Sequence, residues 1–363
     1  MSHPHSIGRA VCAAAATTGL LLGLVGTASA TRTQQAPTVA PEQRSDQRAE
    51  HTYIVPGDLR RGRVPRTVYT TGSTVHVGKR AIRTDLPRDL QVLGRDRRSV
   101  IVASYDGRGS SIHRVRLDGS SRQLLQGRAS GMVVSSCCGR MARIDRPGSR
   151  VRLDVYSTRT GRLLTRAPVG RGLEILGYVR NRVLVAAPGR TFWLNTVTEK
   201  RIRLADQRGY FANSAADTLV LKVRDDDGPY GFCMRYTTLS DPSTTTWYSC
   251  RHRPAAVSAN GSRLLTIDIQ ADGLGPRTVD LRRVDGTQVH RYRTGLFGSV
   301  GFDRQGALVL SAQSRRSATV ALCDHQGDCV RSTAVRQLRR DDLSPDDALH
   351  FSLLPPEARL ARR

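Results

Sequence analysis

The amino-acid sequence predicts an all-β fold of seven repeated units arranged in a ring, that is, a seven-bladed β-propeller. Short β-branched runs separated by Gly, Asp-Gly and Asn-Gly fill residues 66–354, and no stretch there has the periodicity of a core helix. Tight turns also recur at a nearly constant spacing along this region. A repeat of roughly 40 residues accommodates four short strands, which make one propeller blade.

The turns that define the repeat each lie between two short strand-like runs. They are centred on Gly78, Gly119, Gly161, Glu199, Pro242, Gly286 and Gly327. Successive positions differ by 38 to 44 residues, a regularity that unrelated hairpins would not produce. In most units a second turn precedes this one by about twenty residues, as in Val257–Asp268 and Phe302–Leu310. Each unit is therefore expected to contain two hairpins.

The two ends of the repeat region are expected to form one blade together. Leu343–Leu353 repeats the phrase of the first hairpin but has no second hairpin after it. The Gly78 unit has a second hairpin but no complete first one. A blade closed by the N- and C-terminal segments would complete the ring and leave no exposed sheet edge between its ends.

Outside the propeller, the sequence predicts three further segments. Residues 1–30 are interpreted as a signal peptide because a short basic start is followed by an apolar stretch and then by Ala28-Ser29-Ala30. An uncleaved membrane anchor is the alternative. Residues 31–65 are expected to be a flexible linker and residues 355–363 a basic C-terminal tail, with 66–354 as the propeller. We expect a secreted or cell-envelope-associated protein that does not span the membrane after cleavage.

Six of the seven cysteines lie beyond the predicted signal peptide, and an even number in an exported chain favours disulfides. Cys323 and Cys329 flank a short turn, and Cys233 and Cys250 flank a longer insert between β-rich runs. Both pairs are expected to join neighbouring strands. The remaining pair is Cys137-Cys138, which by elimination would form a vicinal disulfide. Six cysteines nevertheless allow 15 connectivities, and the sequence alone does not choose among them.

The chain is strongly basic, with a formal net charge of +26. Its cations are almost all arginine, because Lys79, Lys200 and Lys222 are the only lysines. A GC-rich genome would produce the same skew without selection for binding, so composition is one explanation of the charge. The other is an anionic partner, since a protein this basic adsorbs to envelope polymers, anionic lipid or nucleic acid at low salt.

Two phrases resemble the repeat of WD-repeat-like and Tol-B-like propellers. They are Ser258-Ala-Asn-Gly-Ser-Arg-Leu-Leu-Thr266 and Ser344-Pro-Asp-Asp-Ala-Leu-His-Phe351. The arginine-rich, exported form is similar to secreted propellers of high-GC actinobacteria. This resemblance implies the fold over about 290 residues but not a function, since propellers serve as scaffolds, receptors, lyases and hydrolases. No blade contains a Trp-Asp dipeptide, so the partner rules of the eukaryotic-type repeat are not implied.

No catalytic or metal-binding motif stands out in the sequence. It has no Gly-x-Ser-x-Gly elbow, His-Glu-x-x-His motif or Cys-x-x-Cys motif. Seven histidines beyond the signal peptide are spread along the chain, and we interpret them as surface or inter-blade residues, with convergence at the channel as the alternative. The acidic run Asp225-Asp226-Asp227 is interpreted as a solvated turn, with calcium binding as the alternative. Trp193 and Trp247 are expected to pack within blades.

These observations favour a binding or scaffold module whose ligand is an unidentified protein or an anionic envelope component. We assign no catalytic residue, metal ligand or cofactor, and the binding residues stay unknown. A monomer without specific nucleic-acid binding is expected. The alternative is a propeller enzyme, a lyase or hydrolase with His and Asp or Glu converging at the central channel. A third possibility is a small-ligand receptor, which would need a deep, partly apolar pocket in the channel.

Overall fold

The computed structural model describes residues 50–338, with gaps at 88, 97, 108, 128, 130, 136, 147–150, 227 and 272–274. The regular secondary structure of this described part is β-strand, and the strands form seven separate sheets. The chain is an all-β, seven-bladed β-propeller, as the sequence predicts. The predicted signal peptide, the C-terminal tail and the closing segment Leu343–Leu353 lie outside the described residues. Within the described part, no helix is long and apolar enough to cross a membrane.

The strands are numbered in chain order, and β1 (His51–Tyr53) precedes the first blade. Blade 1 contains β2 (Val68–Thr71), β3 (Thr74–Val77) and β4 (Arg80–Arg83). Blade 2 contains β5 (Asp89–Asp96), β6 (Ser99–Tyr105), β7 (Ser110–Arg116) and β8 (Ser121–Gln126). Blade 3 contains β9 (Met132–Val134), β10 (Arg140–Asp145), β11 (Arg152–Ser157) and β12 (Leu163–Pro168). Blade 4 contains β13 (Glu174–Val179), β14 (Arg182–Ala187), β15 (Arg190–Asn195) and β16 (Arg201–Ala205).

The last three blades follow the same order. Blade 5 contains β17 (Arg208–Asn213), β18 (Thr218–Arg224), β19 (Phe232–Thr238) and β20 (Trp247–Ser249). Blade 6 contains β21 (His252–Val257), β22 (Arg263–Asp268), β23 (Thr278–Arg283) and β24 (Gln288–Arg293). Blade 7 contains β25 (Leu296–Phe302), β26 (Leu308–Gln313), β27 (Ser317–Cys323) and β28 (Cys329–Arg331), and β29 (Arg336–Gln337) pairs with β27.

Each four-stranded set is an antiparallel meander whose first strand lies innermost. The first strands of neighbouring blades contact one another, as β5 contacts β9 and β21 contacts β25. All seven turns used to define the repeat lie between the third and fourth strands of a blade or, in blade 1, between β3 and β4. Strands β2 to β4 therefore correspond to the second, third and fourth strands of the other blades. The sequence assigns the first hairpin of this blade to the C-terminal copy, but β2 occupies the second-strand position that this hairpin would have filled.

Blade-to-blade packing forms the core. Seven buried apolar clusters are found among the described residues, and each joins the facing surfaces of two neighbouring blades. The cluster between blades 7 and 1 places Tyr69 against Val309, Val320 and Leu322, so the ring closes by side-chain packing. Alternation along the strands produces these surfaces, because successive side chains point to opposite faces of a sheet.

The described part of the predicted linker is folded. Strand β1 pairs in parallel with β24 on the outer edge of blade 6, and Ile54 is completely buried in the cluster between blades 6 and 7. Further along, Gly62 donates a backbone hydrogen bond to Arg331, and Arg331 donates one to Arg60. A linker over residues 31–65 is predicted from polar composition. The hydrogen bonds of the described part join backbone groups to strand edges, and such bonds form with any side-chain type. We call residues 50–66 the N-terminal segment.

Three disulfides are present, and they join the cysteine pairs considered above. Cys233 pairs with Cys250 between β19 and the end of β20, and Cys323 pairs with Cys329 across the turn between β27 and β28. Cys137 pairs with Cys138 in the loop between β9 and β10. Such bonds are typical of an oxidising compartment outside the cytosol.

Candidate functional site

A large pocket lies where the turns after the innermost strands meet at one mouth of the channel. Its volume is about 1530 Å³, and we call it the central pocket. The turns after β17, β21 and β25, the end of β5, and the turn between β3 and β4 contribute to its wall. Gly62–Val68 completes the wall, so residues from the N-terminal segment and from blades 1, 2, 5, 6 and 7 surround a single space.

Local hydrogen bonds hold the turns that line the central pocket. Asn213 Oδ1 accepts the backbone N–H groups of Ala215 and Ala216. Ser258 Oγ accepts the Arg263 N–H at 2.9 Å, and Asp303 Oδ1 accepts that of Gln305 at 2.8 Å. These side chains occupy the same position, at or just after the end of an innermost strand, and short polar residues there favour a turn. These three side chains shape the pocket, and the oxygen atoms named here accept hydrogen bonds within the turns.

The N-terminal segment is attached to the pocket through Asp303. The Asp303 side chain is fully buried, and its Oδ2 atom lies 2.7 Å from Arg63 Nη1. The same oxygen accepts the Arg66 N–H at 3.4 Å, while the Arg304 N–H donates to the Arg66 carbonyl oxygen at 3.4 Å. The negative charge of Asp303 therefore neutralises the positive charge of Arg63. The side chains of Arg66 and Arg304 form no ion pair with a described residue.

Arg95 and Arg304 give the pocket a positive potential that no acidic residue of its described wall compensates. Arg95 follows a bulge in β5, at which a Cβ on Gly94 would lie 2.4 Å from Val134 Cβ, so only glycine allows this approach of β5 to blade 3. The pKa of Arg95 is lowered, first by burial of its guanidinium and then by the positive charge of Arg304. Lys79 and Arg66 also line the pocket, and the described lining contains no Asp, Glu or His.

Such an arrangement is suited to binding an anion. Guanidinium groups donate paired, charge-assisted hydrogen bonds to carboxylate, phosphate or sulfate oxygens. An anion between Arg95 and Arg304 would remove their mutual repulsion, so the protein gains more from binding it than from one isolated ion pair. The space is large enough for an extended anionic group and also has apolar wall residues such as Val64, Pro65 and Val68.

The predicted candidate residues do not meet in this pocket. His76, His113 and His290 lie on third or fourth strands, and His252 begins β21. His51 and His325 lie at the periphery in β1 and in the turn after β27, while His350 lies outside the described residues. Convergence of histidines at the channel is therefore not observed in the part of the chain that the structure describes.

The acidic run of blade 5 is divided between different contacts. Asp226 forms an exposed ion pair with Arg224, and Asp227 is not among the described residues. Asp225 Oδ2 lies 3.0 Å from Cys233 Sγ and close to Cys250 Sγ. These are the only described His, Cys, Asp or Glu atoms grouped closely enough for a metal, but both sulfurs belong to a disulfide and offer no thiolate.

Arg95 and Arg304 were not identified from the sequence, although a signal was present. In the aligned repeats, Arg95 comes shortly before the first turn of blade 2 and Arg304 belongs to the first turn of blade 7. The repeat alignment therefore places both on the same side of the ring. Among 54 arginines, however, only the closed ring shows which two face each other.

Solved structures that are similar to this chain have low sequence identity to it. No family model and no curated protein matches the chain. It is similar to TolB from Acinetobacter baumannii, with 13% identity and a TM-score of 0.43 over 74% of this chain and 68% of that chain. It is also similar to Kluyveromyces lactis Hsv2 (14%, TM-score 0.41, 64% and 74% covered) and to a chain of the mitotic checkpoint complex (13%, 0.47, 81% and 96%).

These structures are WD-repeat-like and Tol-B-like β-propellers, and the likeness to them concerns the fold alone. The fold itself is defined by the seven sheets of this chain. A propeller of this kind is a general framework for a binding or scaffold module.

Proposed function

We propose that this protein is an exported binding module that holds an anionic ligand in the central pocket. The observation that carries the proposal is the pair Arg95 and Arg304, two like charges that face a space without a described acidic residue in its wall. The ligand is a molecule or polymer segment with carboxylate, phosphate or sulfate groups. An anionic component of the cell envelope has this chemistry and agrees with the predicted signal peptide.

The pocket lining favours binding over the enzyme alternative. General acid–base or nucleophilic catalysis needs His, Asp, Glu or a comparable group within reach of the substrate. The described lining offers arginine, lysine, amide and hydroxyl side chains instead. These groups attract and orient an anion but do not exchange protons with it near neutral pH, since guanidinium and ammonium groups ordinarily stay protonated there.

Isothermal titration calorimetry with inorganic phosphate and sodium tripolyphosphate tests the proposal. We expect tripolyphosphate to bind more tightly than phosphate, because it can contact cations on both sides of the pocket. Replacing both pocket residues, Arg95→Gln and Arg304→Gln, should weaken tripolyphosphate binding by at least about tenfold, since one charge-assisted hydrogen bond contributes roughly 1.5–3 kcal/mol.

The matched control is the double variant Arg315→Gln and Arg316→Gln. Both residues are exposed in the turn between β26 and β27, at the opposite end of blade 7 from the pocket. This control removes the same charge and should bind tripolyphosphate like the unmodified protein at 0.15 M salt, where charges more than about 8 Å apart are screened. Equal weakening in both double variants would show adsorption by net charge and would refute a pocket site.

A further inference from the structure

A second pocket contains the vicinal disulfide. Its volume is about 1060 Å³, and it lies between blades 2 and 3 at the same end of the blades as their first turns. The wall includes Cys137 and Cys138, and both cysteines are exposed. We call it the disulfide pocket. It shares no described lining residue with the central pocket.

The surroundings of this disulfide are strongly basic. Five arginines line the disulfide pocket, namely Arg98, Arg114, Arg140, Arg159 and Arg162. Asp96 is the one acidic residue of the described lining; it lies 3.6 Å from Arg114 and accepts a hydrogen bond from Thr158. Arg140 donates to Asn181 at 2.7 Å, whereas Arg98, Arg159 and Arg162 have no ion pair with a described residue. The positive potential therefore extends to the exposed sulfurs.

The other two disulfides have acidic neighbours, and each contains one buried cysteine. Asp225 Oδ2 lies 3.0 Å from Cys233 Sγ and 3.6 Å from Cys250 Sγ. Cys323 is followed directly by Asp324, and Cys329 is preceded directly by Asp328. Cys233 and Cys323 are almost completely buried. Thiol–disulfide exchange requires a negatively charged thiolate to reach a sulfur and creates a second thiolate as it leaves. Acidic surroundings disfavour both events, and basic surroundings favour both.

We propose that the Cys137–Cys138 disulfide is a thiol-exchange site that opens selectively to small thiols carrying an anionic group. The thiolate attacks Cys138 Sγ and forms a mixed disulfide, while the bond between the two cysteine sulfurs breaks and its electron pair leaves on Cys137 as a thiolate. A second thiolate of the same kind then attacks the mixed disulfide, releasing the oxidised small disulfide and leaving both cysteines reduced. The arginines attract the attacking anion and stabilise the thiolate that leaves.

The local hydrogen bonds favour Cys137 as the leaving sulfur. Ser135 Oγ lies 3.7 Å from Cys137 Sγ and can donate a hydrogen bond to a thiolate there. The loop is held on both sides of the cysteines, because Ser135 N–H donates to the Arg140 carbonyl and Thr158 N–H donates to the Gly139 carbonyl. Opening the bond therefore leaves the ends of the loop in place, and the reaction can reverse.

The test compares three small thiols on the purified, oxidised protein: 2-mercaptoethanesulfonate (anionic), 2-mercaptoethanol (neutral) and cysteamine (cationic). Free cysteines are alkylated at time points and assigned by peptide mass spectrometry. After correction for each thiolate fraction, we expect Cys137–Cys138 to open about tenfold faster with the sulfonate than with cysteamine at low salt, and the preference to shrink in 0.5 M NaCl. Cys233–Cys250 and Cys323–Cys329 should remain closed over the same period.

A matched pair of variants separates pocket charge from net charge. The double variant Arg159→Gln and Arg162→Gln should lose most of the preference for the sulfonate, and the double variant Arg315→Gln and Arg316→Gln should retain it. Tandem mass spectra of the trapped mixed disulfide should place the small thiol on Cys138. Equal corrected rates for the three thiols, or simultaneous opening of all three disulfides, would overturn the proposal. Neither readout depends on the ligand of the central pocket.

Discussion

At the scale of single residues, a buried aspartate connects the outer strands of blade 6. Asp280 is almost fully buried, and its carboxylate lies 2.6 Å from Arg291 Nε and 3.1 Å from Arg282 Nη2. Burial alone would raise the pKa of Asp280, but hydrogen bonds from His252 and Arg291 and the charges of Arg282 and Arg291 outweigh it and lower the pKa. In blade 3, Asp154 is likewise buried and pairs with Arg166 at 2.9 Å. A buried aspartate paired with arginine therefore occurs in both blade 3 and blade 6.

Replacing Asp280 tests this role. Asp280→Asn should lower the free energy of unfolding by about 3–5 kcal/mol, because it leaves Arg282 buried without its charged partner. The same change at Asp226, whose ion pair with Arg224 is exposed, should stay within about 0.5 kcal/mol. Urea denaturation measures both. Equal small effects would show that the buried network does not contribute to stability.

Buried histidines predict a loss of stability in mild acid. Burial lowers the pKa of His76, His113 and His290 in the folded protein. The unfolded chain therefore binds protons first, and stability that is complete above a pH of about 6.5 is lost as the pH falls toward the lowered pKa values. The lowered pKa of Asp280 also makes the stability decrease as the pH falls, but only below a pH of about 4.

We expect the free energy of unfolding to decrease between pH 7 and pH 5. His76→Gln should reduce the slope, since glutamine does not titrate and can still hydrogen-bond to Thr71 Oγ1, which lies 2.7 Å from His76 Nε2. Denaturation curves at several pH values provide the measurement. A stability that rises toward pH 5 would contradict the assignment.

At the scale of elements, the repeated turn contains a residue with a left-handed backbone in every blade except blade 5, where Pro242 stands at that position. Gly119, Gly286 and Gly327 have φ values of 92°, 87° and 98°, and the corresponding residue of blade 4 is Glu199 with φ of 58°. At Gly286 an added Cβ would also lie 2.2 Å from the Trp247 ring, so that turn packs against blade 5. A side chain at Glu199 costs energy in this conformation because its Cβ approaches the backbone.

Glu199→Gly should therefore stabilise the protein by about 0.5–1 kcal/mol, since the gain exceeds the extra freedom of glycine in the unfolded chain. Glu199→Ala retains the Cβ and should bring no such gain. Thermal denaturation of the two variants beside the unmodified protein distinguishes them. Equal melting temperatures for Gly and Ala would show that the turn is not under conformational strain.

At the scale of the whole molecule, the ring has to be completed at blade 1. The described strands of this blade occupy its second, third and fourth positions, and the sequence assigns its first hairpin to Leu343–Leu353. Removing residues 343–363 should lower the melting temperature by several degrees, at about 2–4 °C per kcal/mol lost. Removing only residues 355–363, the predicted tail, is the control and should change little. Identical melting temperatures would refute closure by this segment.

Local chemistry explains what could be predicted from the sequence. Strand alternation and turn residues act over a few positions, so the blade number and the position of all seven repeated turns follow from spacing, and so does the expected proximity of the cysteines that flank a hairpin. The pairing of residues 50–65 with the blades could not be predicted from the sequence for a related reason. The polar composition of residues 50–65 contains no information about the strand edges of blades 6 and 7 with which their backbone pairs.

Tertiary structure alone decided which charges act together. Arg95 and Arg304 are 209 positions apart and line the same pocket because the ring returns to its start. The exposed Cys137–Cys138 disulfide lies among arginines contributed by two blades, whereas the Cys233–Cys250 disulfide lies beside the Asp225 carboxylate. Secondary structure and repeat number are encoded locally, but the potential at a pocket is a sum over side chains that only the closed ring brings together.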